Sequence, residues 1–76
     1  MERKDKLLKK FGKYLTALRK ERSMTIRELA DATGLTPHQL SRIEAGEVNI
    51  LFTTVISLSK GLEISPGDLL QSLDPG

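Results

Sequence analysis

The 76-residue sequence contains no cysteine and a single histidine. These absences exclude disulfides and a thiolate metal site, so helix packing alone must hold the fold. No apolar run approaches the roughly 20 residues of a membrane span, and the amino terminus lacks the apolar segment of a secretory signal. The expected location is the cytoplasm, without membrane contact. No glycine-rich phosphate loop is present, and Ser41 has no visible Asp/His partner arrangement. An enzyme is therefore not expected, and neither a cofactor nor a small-molecule ligand is implied. His38, alone on a polar stretch, reads as a hydrogen-bonding surface residue and not as a metal ligand or base. A chain of this length is expected to make one small domain, packed over 6–73, with 1–5 and 74–76 frayed. It buries roughly 60 to 65% of its unfolded surface, which leaves a net stability of a few kcal/mol to which a dimer interface would add.

The formal charge of +2 hides a strong asymmetry. Residues 1–27 hold ten of the twelve Lys and Arg against three acids, and residues 28–76 hold two bases against seven acids, giving +7 and −5. One reading is a solvated basic helix. The other is one side of the molecule set against a polyanion.

The stretch over 25–46, TIRELADATGLTPHQLSRIEAG, organises the rest. Thr25 with Glu28, and Thr36 with Gln39, each have the spacing of a capping box, in which hydroxyl and carboxylate or amide exchange bonds with the free backbone of a first helical turn. Pro37 follows the second cap, where a helix loses nothing by a missing N–H. Gly34 between them suits the left-handed conformation that ends one helix and turns the chain towards the next. Leu29, Ala30, Leu35, Leu40 and Ile43 form one apolar set, and His38, Gln39, Ser41 and Arg42 are left to face solvent. The result is two short helices across a tight turn, the second presenting a polar reading face.

Elsewhere, Leu7, Phe11, Leu15 and Leu18 recur at helical spacing and predict a helix over 6–22, with Gly12 as a point of close helix approach and Tyr14 as a boundary aromatic with a wet hydroxyl. A fourth helix is expected over 52–62, its buried side formed by Phe52, Val55, Ile56, Leu58 and Leu62, with Gly61 near its close. Three β-branched residues in a row (Thr53, Thr54, Val55) make it depend on tertiary packing. Ser65-Pro66-Gly67-Asp68 has the cap, first-turn proline and acid that open a last helix, and Leu69, Leu70 and Leu73 give that helix an apolar side. Exposed in the monomer, Phe52, Leu69, Leu70 and Leu73 would mark an interface; buried, they are simply core.

The Ala30, Gly34, Leu40, Ile43 spacing and the IEAG ending resemble the helix-turn-helix of the phage repressor and Cro family, often called the XRE family, and the resemblance extends over about 11–70. It implies an all-α, five-helix repressor-like domain with its helix-turn-helix at helices 2 and 3, binding double-stranded DNA as a transcription regulator and acting as a homodimer on a palindromic site. Carried over position by position, it makes Pro37, His38, Gln39 and Arg42 the groove-facing set, with Ser41 towards backbone or base. Arg42 is the best match for guanine and Gln39 for adenine. Gln39 has a competing role in the capping box, and one side chain cannot fully fill both. Phosphate candidates are the backbone at Thr25 and Thr36, the Thr36 hydroxyl, Arg27 and the loop around Asn49. Arg19 is implied to pair with Glu44 as a structural clamp, and the last helix with the loop before helix four to form the dimer contact.

Three departures stand out. Ile26 replaces a common glutamine that reaches phosphate, Pro37 replaces a frequent base reader, and Glu47 adds negative charge to a loop that is often basic. Specificity then rests on few side chains, with DNA shape contributing. The family also includes antitoxins, so a protein-interaction module is the alternative.

Overall fold

The computed structural model describes residues 2–73, and side-chain environments for 6–71 and 73. Five α-helices follow one another: α1 (Glu2–Glu21), α2 (Ile26–Thr33), α3 (Pro37–Glu44), α4 (Phe52–Leu62) and α5 (Pro66–Leu70), extended by a 3₁₀ turn, Gln71–Leu73. Among the described residues there is no strand. Helix α1 begins at Glu2, four residues before the expected start at 6, so 2–5 are helical where fraying was expected; Glu, Arg and Lys are good helix formers that need no buried face to continue a helix. At about 1.5 Å per residue its 20 residues make a rod of about 30 Å, which sets the molecule's 31 Å long dimension. The expected fraying of 74–76 lies outside the described residues.

Every helix contributes to one core: Phe11 and Leu15 from α1, Leu29 and Ala30 from α2, Leu40 and Ile43 from α3, Val55, Leu58 and Leu62 from α4, and Leu69 from α5. Phe52, expected on the buried side of α4, is instead 76% exposed, whereas Leu69 is fully buried and so is core and not interface surface. Phe52 is the first residue of α4, and Leu69 is the buried residue of a helix only five residues long. Ser59, set in the apolar side of α4, is 2% exposed, and its hydroxyl is satisfied by donating to the Ile56 carbonyl at 2.8 Å.

Glycine 12 takes the predicted role. A Cβ there would collide with the backbone carbonyls of Ile43 and Glu44, so its bare Cα is what lets α1 and α3 touch. Gly61 does not close α4 and instead admits the Thr33 methyl of α2. The closing residue is Glu63, left-handed at φ 58°, with the Glu63 N–H donating to Lys60 and the Ile64 N–H to Ser59. The Arg22 guanidinium adds a bond to the Leu62 carbonyl at 3.1 Å, and the Tyr14 hydroxyl, expected to be wet, donates to the Asp68 carbonyl at 3.2 Å. These two bonds tie α1 to the carboxyl-terminal helices.

Glu63 combines an unfavourable backbone region with a negative charge at the negative end of a helix. Glu63→Gly is therefore expected to stabilise the fold by about 1 kcal/mol, raising the melting midpoint by roughly 4–8 °C. A midpoint that falls would show that the side chain makes a contact in its own right.

Candidate nucleic-acid interface

Local chemistry builds the helix-turn-helix. Thr25 Oγ1 accepts from the Glu28 N–H at 3.0 Å while the Thr25 N–H donates to Glu28 Oε1 at 2.8 Å, and Thr36 with Gln39 repeats the exchange at 3.0 and 2.9 Å. Gly34 closes α2 at φ 78°, its N–H donating to the Ala30 carbonyl. The Thr33 hydroxyl donates to the carbonyls of Leu29 and Ala30, which holds the last turn of α2 together. From this turn, α3 sends Leu40 and Ile43 inward and leaves Pro37, His38, Gln39, Ser41 and Arg42 exposed on its outer side, with Thr36 exposed at its cap.

The far end of α3 is fixed by a clamp. Arg19 Nε stands 2.7 Å from Glu44 Oε2 and its Nη2 3.1 Å from Oε1, a bidentate pair, while Nη1 donates to the Met24 carbonyl at 2.8 Å. Thr16 Oγ1 donates to Glu44 Oε1 at 2.9 Å. The side chains of Arg19 and Glu44 are only 11% and 8% exposed. The hydrogen bond to Glu44 pushes the Arg19 pKa further up from its already high ordinary value; burial opposes this and the charge of Glu44 adds to it. Capped at one end and clamped at the other, α3 is a short rod of about 12 Å, against a major groove about 12 Å wide.

The capping boxes change which groups are free for phosphate. The N–H groups of Thr25 and Thr36, two of the expected donors, are taken up by Glu28 and Gln39. In α2 the N–H groups of Ile26 and Arg27 have no intrahelical acceptor, whereas in α3 Pro37 has no N–H and only that of His38 is left. Free backbone N–H groups are thus more numerous at the start of α2, where the Arg27 side chain is also exposed. Gln39 caps through Oε1 alone, so its amide N–H₂ stays available to an acceptor, and the two roles set against each other in the sequence divide between its two atoms.

A cleft of about 290 Å³ separates α3 from the 47–51 loop, lined by His38, Gln39, Arg42, Asn49 and Leu51 among others. A second groove of about 230 Å³ runs between Leu7, Leu8 and Phe11 of α1 and Ile50, Leu70 and Leu73. Of the residues expected at an interface, Phe52 and Leu70 are exposed, Leu73 is half-buried against the core and Leu69 is not available. Leu51, 67% exposed beside Phe52, was missed. Its signal was legible: it occupies the N-cap of α4 without a side-chain hydrogen bond, a position where Ser, Thr, Asn or Asp is strongly preferred. Among the described residues no group of three or more His, Asp or Glu is placed to hold a metal, and no helix is long and apolar enough to cross a membrane.

The helix-turn-helix family profile matches residues 15–69. Among solved structures, the restriction-modification controller protein C.AhdI from Aeromonas hydrophila is 31% identical, with TM-score 0.79 over 82% of this chain and 94% of that one. The clp gene regulator ClgR from Corynebacterium glutamicum is 30% identical, with TM-score 0.80 over 87% of this chain and 86% of that one. An HTH_3 family transcriptional regulator from Vibrio cholerae is 26% identical, with TM-score 0.83 over 90% of this chain and 38% of that one. Among curated protein sequences nothing matches. The chain belongs to the XRE-type helix-turn-helix family of DNA-binding regulators.

Proposed function

We propose that this protein is a sequence-specific regulator of transcription that lays α3 in the major groove of double-stranded DNA and acts in the cytoplasm as a homodimer on a palindromic operator. The observation that carries the reading is the outer face of α3, whose residues Pro37, His38, Gln39, Ser41 and Arg42 are all exposed and polar apart from the proline, on a helix held rigidly at both ends. Arg42 reads guanine through O6 and N7, Gln39 offers its amide N–H₂ to a base acceptor, and His38 and Ser41 contact base or backbone. Phosphates are held by Arg27, the free N–H groups at the start of α2, the Thr36 hydroxyl and Asn49. The exposed apolar side chains Leu51, Phe52 and Leu70 supply the dimer contact, with half-sites about 34 Å apart.

Selection from a randomised duplex pool, followed by titration at several salt concentrations, tests both parts. An inverted repeat is expected to enrich. Arg42→Ala is expected to weaken binding to it by roughly 5- to 150-fold, the equivalent of one bidentate base contact, while relaxing one base position. Enrichment of no sequence would overturn the reading. The same exposed apolar residues favour the second one, a module that binds a protein partner through Leu51 and Phe52, as an antitoxin would.

A further inference from the structure

The Arg42 guanidinium has a carboxylate beside it. Its Nε lies 3.7 Å from Glu47 Oε1, and the two residues are five apart in sequence, a separation that does not share a helix face. The end of α3 brings them together. Gly46 is left-handed at φ 73°, its N–H donates to the Ile43 carbonyl, and the Glu47 N–H donates to the Arg42 carbonyl at 3.0 Å. This pair of hydrogen bonds is that of a Schellman close, in which the residue after the glycine folds back over the residue five positions before it, a contact that is usually hydrophobic. Here both members are charged.

Resting on the DNA-reading role given above, the geometry points to Glu47 as a specificity-determining residue, a carboxylate set by the Schellman close to orient the Arg42 guanidinium and to keep it off phosphate. The contact is made at Nε, and among the described residues no acceptor is bonded to Nη1 or Nη2, so the terminal fork that matches guanine O6 and N7 stays open. Both side chains are about half exposed, 49% and 62%, so the pair adds little to folding. Its effect grows when DNA displaces water from the cleft and lowers the local dielectric. There the carboxylate repels phosphate oxygens, which disfavours sequence-independent docking, while a guanine edge, bearing no net charge, still takes the fork. Glu47 thus weakens non-specific binding while it supports specific binding by orienting Arg42.

Affinities for the selected operator and for a scrambled duplex of the same length separate the outcomes, measured at one salt concentration for wild type, Glu47→Gln, Arg42→Ala and the double variant. Glu47→Gln keeps the shape of an exposed side chain, and its melting midpoint serves as the folding control. It is expected to tighten scrambled-duplex binding about threefold and to lower the operator-to-scrambled ratio about fivefold or more, since one repulsive charge leaves the interface and Arg42 loses its orientation. In the Arg42→Ala background the same change is expected to leave the ratio within about twofold. Equal tightening on both duplexes in the wild-type background, or an equal fall of the ratio with and without Arg42, overturns the assignment. A wild-type protein that does not discriminate the two duplexes overturns the DNA-reading role itself, and the assignment with it.

Discussion

Arg19→Ala is expected to lose about 3–5 kcal/mol of stability, on the order of 20 °C in melting midpoint for a domain of this size. The size follows from what is left behind. Glu44 keeps one hydrogen bond, from Thr16, and loses a bidentate cation in a site where its side chain is 8% exposed. The Met24 carbonyl loses its donor as well. A surface ion pair would cost far less, because water would replace the missing partner. Arg19→Lys separates charge from geometry: it restores a cation but not the fork, and is expected to recover less than half of the loss. Should Arg19→Ala prove unfolded, the lysine variant still yields a midpoint to compare. A midpoint unchanged by either substitution would sink the clamp.

The pH behaviour of this contribution has a definite sign. Because the Arg19 pKa is raised in the folded protein, first by the hydrogen bond to Glu44, its stabilisation is fully present wherever the unfolded chain also carries the charge, and it fades only in strongly alkaline solution. The titration of Arg19 itself therefore adds no slope to stability near neutral pH. This suits a contact that holds α3 at a constant angle to α1.

The features legible in the sequence were those fixed within one turn of helix. Thr25 with Glu28, Thr36 with Gln39, Pro37, Ser65 with Asp68, and Gly34 each satisfy or reverse the backbone next to them, so residue type and spacing were enough. Residues whose surroundings depend on how distant helices meet were less legible. Phe52 and Leu69, both left between core and interface by the sequence, lie outside and inside respectively, because an apolar residue at the first position of α4 and one in a five-residue helix have too few neighbours for periodicity to assign a face. Glu63 took the left-handed position in place of a glycine because α4 must leave the core where Leu62 is seated, wherever a glycine falls. The ion pair of Arg42 with Glu47 lies between these cases. No helical spacing shows it, but Ala-Gly-Glu at the end of a helix already contains the glycine that folds the glutamate back.

Gly46 and Gly34 have nearly the same backbone, φ 73° and φ 78°, and this makes them a controlled pair. A Cβ at Gly34 would meet nothing within 4 Å, so Gly34→Ala carries only the cost of placing alanine in the left-handed region, about 1–2 kcal/mol. A Cβ at Gly46 would stand 2.7 Å from Cα and 2.9 Å from the backbone nitrogen of Lys9, atoms of a helix that cannot swing aside as a flexible side chain could. Gly46→Ala therefore adds an overpacking cost of about 1–3 kcal/mol to the same backbone term, for a total of about 2–5 kcal/mol. Denaturant melts of the two variants measure the difference directly. Equal losses would mean that α1 can retreat from the end of α3 at no cost. A larger loss at Gly46 shows instead that α1 is seated against the Schellman close, the same turn that sets Glu47 beside Arg42. The basic first helix then supports α3 from behind twice, through Gly12 under the carbonyls of Ile43 and Glu44 and through Lys9 over Gly46, with the Arg19 clamp completing the seat.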